Sequence, residues 1–252
     1  MAQNAKPVTL QPATVEAFDG YIRQAEAQME QTLDGSSPFL WCDRSPEIAQ
    51  RVKRGKVVAQ PWMEQGPMQV PNGLIHDWIG AAFISGTTLN ATLELIQDYD
   101  HHTYIYKPDV IDSRLVSRDG NAFKIHLRLL KKKIVTVVLD TEHDVHYRAL
   151  DQARCTCRSY STRIAEVEYP GRAQEKVLSP DSGHGFLWRL NSYWRFEERD
   201  GGVYAECRAI SLSRDVPFGI KWMVEPIIQK LPKESLLDTL EATREALVVK
   251  AS

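Results

Sequence analysis

Apolar residues recur at Val15, Phe18, Ile22, Ala25, Met29 and Leu33, in steps of three or four. That spacing lines one stripe of a helix and predicts an α-helix over 12–33. Asp34-Gly35-Ser36-Ser37-Pro38 stops it, because Gly and Pro do not extend hydrogen-bonded turns. Phe39, Leu40 and Trp41 then read as an anchor onto a larger body. Residues 44–72 mix charge, Pro and Gly, with one short strand candidate over 56–59. Residues 1–72 are therefore expected to be an N-terminal helical extension packed on a main domain of residues 73–252.

From Gly73 the chain reads as strands. Residues 74–84 are a long apolar and aromatic run, and Gly86 ends it. Thr87 or Thr88 is placed to cap a short helix to 97, with Leu89, Leu93 and Ile96 on one face. An aromatic, His-rich connection follows. Then come six strand-like runs, over 110–117, 122–131, 134–148, 154–168, 186–198 and 203–213. Arg118-Asp119-Gly120-Asn121 and Arg199-Asp200-Gly201-Gly202 are hairpin turns, because Asp, Asn and Gly tolerate positive φ. A helix is predicted over 220–248 from Ile220, Val224, Ile227, Leu231, Leu236, Leu240 and Leu247, with Pro226 and Pro232 expected to kink or split it.

This order resembles the START-like helix-grip superfamily (SRPBCC), which includes lipid-transfer domains and polyketide cyclases. Two segments carry the likeness further. Asp98-Tyr99-Asp100-His101-His102-Thr103-Tyr104-Ile105-Tyr106, leading into Asp109-Val110, is similar to the family's helix-to-hairpin passage. Ile210-Ser211-Leu212-Ser213-Arg214-Asp215-Val216-Pro217-Phe218 is similar to its last strand running into the closing helix. The resemblance covers 73–247. It implies an α+β helix-grip fold: a curved antiparallel sheet of about seven strands wrapped around the long C-terminal helix, with an apolar cavity between them. It also implies a hydrophobic small-molecule or lipid ligand and no cofactor. A cyclase, dehydratase or hydrolase using polar cavity groups is the alternative. The extension before Gly73 is extra to the minimal pattern, and its helix has the cavity mouth as one place to sit.

Alternation along the strands assigns side chains to faces, since i and i+2 point the same way. Phe123, Ile125, Leu127 and Leu129 share one face; Leu139, His143, Val145 and Tyr147 share another, with Asp140 and Glu142 opposite. In 154–168 the less polar set is Cys155, Cys157, Ser159, Ser161, Ala165 and Val167, and simple alternation adds Arg163 to it. In 186–198 the apolar set includes Trp188, Leu190, Ser192, Trp194 and Phe196. The candidate ligand-binding residues are therefore Arg163, His143, Ser161, Tyr147, Trp188 and Trp194. An interior Arg163 needs an acid, from a ligand or from a carboxylate such as Glu206. In the enzymatic alternative His143 or a cavity Glu is the general acid/base and Arg163 stabilises an oxyanion. The Gly- and Pro-containing connection 170–185 is expected to be a mobile loop or lid near a cavity mouth.

Composition narrows the partners. With 31 Lys+Arg against 33 Asp+Glu the net charge is −2, so no general field favours nucleic acid or an anionic membrane. Hydrophobic residues at 43% and charged residues at 25% describe a folded chain. No uncharged apolar run nears the ~20 residues of a membrane span, and no apolar leader segment is visible at the N-terminus. The cysteines, Cys42, Cys155, Cys157 and Cys207, are too few for a disulfide scaffold. Reduced thiols and a cytoplasmic location are expected. The His residues fall on opposite sides of extended chain, so no metal site is expected.

Overall fold

The computed structural model describes residues 8–35, 37–132, 136–215 and 221–251, with side chains of the last helix described over 230–248. Helix α1 (Pro12–Gln31) starts with Pro at its first position and buries Thr14, Phe18, Ile22 and Ala25, close to the stripe read from the sequence. A 3-10 turn (Trp41–Arg44) leads into α2 (Pro46–Lys53), where the Ser45 hydroxyl accepts from Ile48 N–H. Strands β1 (Val58–Pro61), β2 (Met68–Val70) and β3 (Gly73–Ser85) follow. Helix α3 (Leu89–Gln97) is capped by Thr88, whose hydroxyl accepts from Ala91 N–H. A 3-10 turn (Tyr99–His101) and α4 (His102–Ile105) lead to β4 (Val110–Asp119), β5 (Ala122–Lys132), β6 (Thr136–Ala149), β7 (Arg154–Glu168), β8 (Lys176–Val177), β9 (Arg189–Arg199) and β10 (Gly202–Arg214). The chain closes with α5 (Lys221–Ala251).

The strands form one antiparallel sheet in the order β1-β3-β10-β9-β7-β6-β5-β4, with β2 pairing β3 and β8 pairing β7. The sheet is curved and carries the C-terminal helix on one face, which is the helix-grip arrangement expected from the order of elements. Among the described residues ten strands stand where about seven were expected. Two of them, β1 and β2, come from the 58–70 stretch and join the same sheet as β3. Pro226 and Pro232 do not split α5, which runs as one helix. Ile220 lies outside the described residues, as do positions 134 and 135 at the start of the predicted run 134–148.

Helix α5 sits on one face. Leu236 and Leu240 meet Ala82 and Cys207 there, and Leu247 joins a cluster with Ile84, Val203, Ala205 and Phe196. Gly80 makes room for it: a Cβ at this position would lie 2.9 Å from Leu240 Cδ1 and 3.2 Å from Leu236 Cδ2.

Helix α1 lies on the opposite face, not over a cavity mouth beside α5. Its Phe18, Ile22 and Ala25 pack with Ile75, Ile210 and Leu212. Phe39, Leu40, Trp41 and Val52 cover Ile79, Ala81 and Tyr204 further along that face. Both sides of β3 and β10 are thus covered, and a strand covered on both sides needs apolar residues without alternation. That is the reason 74–84 reads as one continuous run.

The 170–185 connection is tied along its second half. Glu166 Oε2 accepts from His184 N–H (2.8 Å), and Glu166 Oε1 accepts from Phe186 N–H (3.2 Å). Gly183 O accepts from Val8 N–H (2.7 Å), which fastens the stretch before α1 to it as well.

Candidate functional site

Strand register sorts the α5 face into rows that cross the sheet. One row holds Gly80, Cys207, Trp194, Cys157 and Tyr147; the next holds Trp78, Ala209, Ser192, Ser159 and Val145; a third holds His76, Ser211, Leu190, Ser161 and His143. Leu190 joins the third row through its N–H, which donates to Ser161 Oγ (2.9 Å) where the β7–β9 ladder ends. Above these rows the face is closed: Ile84, Ala82, Ala205, Phe196 and Cys155 are buried. Within and below them the side chains are less completely covered. Leu74, Trp78, Leu127, Leu190 and Trp194 are only half-buried, as are Ser159, Ser161 and Ser192. A helix-facing surface made of large apolar groups and isolated hydroxyls suits a small-molecule ligand.

The four candidates His143, Ser161, Tyr147 and Trp194 meet on this face. His143 is buried, with Nε2 3.0 Å from Thr141 Oγ1. Burial, followed by the neighbouring His126, pushes its pKa down to about 4, so it is neutral at physiological pH. The Tyr147 and Tyr99 hydroxyls are 2.8 Å apart and share a hydrogen bond, and burial pushes both pKa values up. The Trp194 ring stacks on Phe196, centroids 5.6 Å apart and 5° from parallel.

Arg163 and Trp188 are elsewhere. Thr162 is an extra residue in β7: Glu142 pairs Arg163, while the next β6 residue, His143, pairs Ser161. The bulge reverses the alternation beyond it. Arg163 therefore leaves the α5 face and pairs Asp140 on the other side, joined at longer range by Glu142 (3.9 Å). Ala165 and Val167 change sides with it, and Thr141 and Leu139 instead face Ile164 and Glu166 across the α5 side. Trp188 precedes β9, so alternation does not yet govern it; its ring is buried in the α1-side cluster with Ile75, Ile210 and Leu212.

His76 escaped the sequence reading. It is buried in β3, its Nε2 3.0 Å from Ser213 Oγ, and its Nδ1 has no protein partner. Burial pushes its pKa down to about 4. The signal was present: one histidine at even spacing with Leu74, Trp78, Gly80 and Ala82 on an otherwise apolar face of the strand. His76 and His143 stand at opposite ends of the third row, four strand spacings or about 19 Å apart. They are too distant to share one proton.

No protein-family model and no curated protein matches the sequence. Solved structures do match in shape. TTHA0849 from Thermus thermophilus is 13% identical with a TM-score of 0.50, over 69% of this chain and 98% of its own. A STAR-related lipid transfer protein from Xanthomonas axonopodis is 15% identical with a TM-score of 0.48, over 72% and 96%. The Zhui aromatase/cyclase from Streptomyces sp. R1128 is 10% identical with a TM-score of 0.47, over 71% and 96%. At these identities the likeness is one of fold.

Proposed function

We propose that this helix-grip protein binds a hydrophobic small molecule or lipid against the α5 face of its sheet, without chemistry of its own. The observation that carries the reading is the half-buried stretch of that face, where Trp78, Leu127, Leu190 and Trp194 surround Ser159, Ser161 and Ser192. Large apolar side chains left partly uncovered beside isolated hydroxyls form the kind of wall that a mostly apolar guest completes. The serines and the third-row histidines supply sparse polar contacts that orient a mostly apolar guest. Of the sequence candidates, His143, Ser161, Tyr147 and Trp194 stay in this proposed set, and His76 joins them.

Binding is favoured over catalysis by the titrating groups. A general base works best with a pKa near the operating pH. The two histidines of the face are both pushed down to about 4 and stand far apart. The ligand is carried in the cytoplasm, where the four thiols, all unpaired, stay reduced. No helix among the described residues is long and apolar enough to cross a membrane.

Native mass spectrometry of the purified protein tests the reading, together with titration of a fluorescent fatty acid. A co-purified apolar molecule or saturable probe binding, lost in Ser192→Trp, is expected. No adduct and no saturable binding, in a protein whose thermal unfolding is cooperative, would overturn it.

A further inference from the structure

The described cavity of about 240 Å³ is not on the α5 face. It lies on the other side of the sheet, between α1, the Trp41–Arg44 turn and the strands. At about 30 Å³ per molecule it has room for about eight waters, which is small for a lipid and ample for a compact organic acid. Its apolar wall is Met29, Trp41, Trp62 and Ile79. Its polar wall is unusual in carrying Arg44, Arg195 and Arg208 with a single acid, Glu206.

Arg208 and Arg195 are held differently. Arg208 is buried in β10. Its Nε and Nη2 engage the carboxylate of Asp77 at 3.0 and 2.6 Å, and its guanidinium lies 3.9 Å from the Trp62 ring centroid. Its Nη1 has no hydrogen-bond partner. Because Nε and Nη2 share one edge of the planar fork, Nη1 points away from Asp77. Arg195, also buried, donates only to neutral oxygens: Phe39 O, Met29 O and Thr32 Oγ1. Among the described residues no carboxylate lies within ion-pair distance of it. Glu206 is its cross-strand neighbour, and accepts from Cys42 N–H at 3.2 Å. Burial pushes the Glu206 pKa up to about 7, so at neutral pH this acid offsets only part of the positive charge. The sum is a net-positive, partly open chamber with an aromatic lining, walled by a buried guanidinium one of whose N–H groups has no acceptor. An orphaned buried donor is costly unless something accepts from it.

We propose that this chamber is a second binding site, on the far side of the sheet from α5, for a small aromatic carboxylate. The carboxylate is held by the guanidinium groups of Arg44, Arg195 and Arg208 that line the chamber, and the ring lies against Trp41, Met29 and Ile79. Its occupant touches α1 and the 39–44 segment as well as the sheet, so binding also clamps the N-terminal part onto the strands. Nothing in this assignment depends on a ligand at the α5 face.

The probes are 1-naphthoate and its uncharged analogue 1-naphthamide, titrated into the full chain while the Trp indole N–H signals are followed by NMR. Saturable shifts at Trp41 and Trp62 with naphthoate are expected, with naphthamide weaker by about tenfold or more, the loss of one charge-assisted hydrogen bond. Arg208→Gln alone strands the buried Asp77, so the binding variant is Arg208→Gln with Asp77→Asn. Met29→Trp fills the chamber and leaves the charges in place. Both are expected to abolish the naphthoate shifts, while Ser192→Leu on the α5 face leaves them unchanged. Absence of saturable shifts at Trp41 and Trp62 would overturn the proposal, as would equal binding of acid and amide or shifts that survive Met29→Trp. Loss of binding in Ser192→Leu would also overturn it, by assigning the probe to the α5 face.

Discussion

Arg163 and Asp140 form an ion pair on the sheet face opposite α5, the reverse of the face to which alternation alone sends the arginine. The pair is reinforced by His126, whose Nε2 is 3.1 Å from Asp140 Oδ2. Burial raises the Asp140 pKa, but the hydrogen bonds from Arg163 and His126 outweigh it and hold the carboxyl below its ordinary value.

Arg163→Met is therefore expected to leave ligand affinity unchanged and to lower stability by no more than about 1 kcal/mol, the scale of a partly exposed pair. The linkage has a definite sign. A depressed carboxylate pKa adds stability that is present above the ordinary pKa and is lost as pH falls through the depressed one. The variant's acid limb should therefore be shallower than that of the parent in denaturant unfolding below about pH 4. A tenfold loss of ligand affinity would return Arg163 to the binding face.

Glu206 should give the opposite slope. Its folded pKa, pushed up to about 7 chiefly by burial and only partly pulled back by Arg195, by the N–H groups of Cys42 and Trp41 and by Arg44, exceeds that of the unfolded chain. Its contribution is complete below about pH 4.5, falls as pH rises, and is gone above about pH 7. The expected loss over that window is up to about 3 kcal/mol. Glu206→Gln keeps an acceptor for Cys42 and removes the titration. Its stability, measured by denaturant unfolding across about pH 5 to 8, should be flatter than the parent's; parallel profiles would show that Glu206 is ionised throughout.

Gly80→Ala tests how closely α5 is held. The new Cβ would stand 2.8 Å from Val58 O and 2.9 Å from Leu240 Cδ1, closer than carbon atoms approach in packed cores. Overpacking of this kind costs about 1–3 kcal/mol. Trimming the partner in Gly80→Ala/Leu240→Val should recover part of the loss, because Leu240 can be shortened whereas Val58 O is backbone. An unchanged melting temperature in the single variant would mean that α5 does not rest on β3 at this point.

The elements themselves were legible in the sequence. The three-to-four spacing of Phe18, Ile22 and Ala25 describes α1, and the Asp-Gly turns at 119–120 and 200–201 describe two hairpins. Those signals are local, since helix periodicity and positive-φ residues act over a few positions. The order of elements also identified the fold. What each strand shows to α5 was legible only where no residue is inserted. His143, Ser161, Tyr147 and Trp194 obey simple alternation, whereas Arg163 follows the bulge at Thr162 and Trp188 precedes its strand. A period of two carries only a parity, and one extra residue inverts it for the rest of the strand. The side of the sheet taken by α1 was likewise decided by tertiary structure. An apolar stripe states that a helix must be buried, but not against which surface. The answer lay in β3 and β10, more than forty residues away, whose second apolar face requires a cover. The chamber holding Arg195, Glu206 and Arg208 exists only because that cover sits across polar strand positions, so no single segment of the chain announces it.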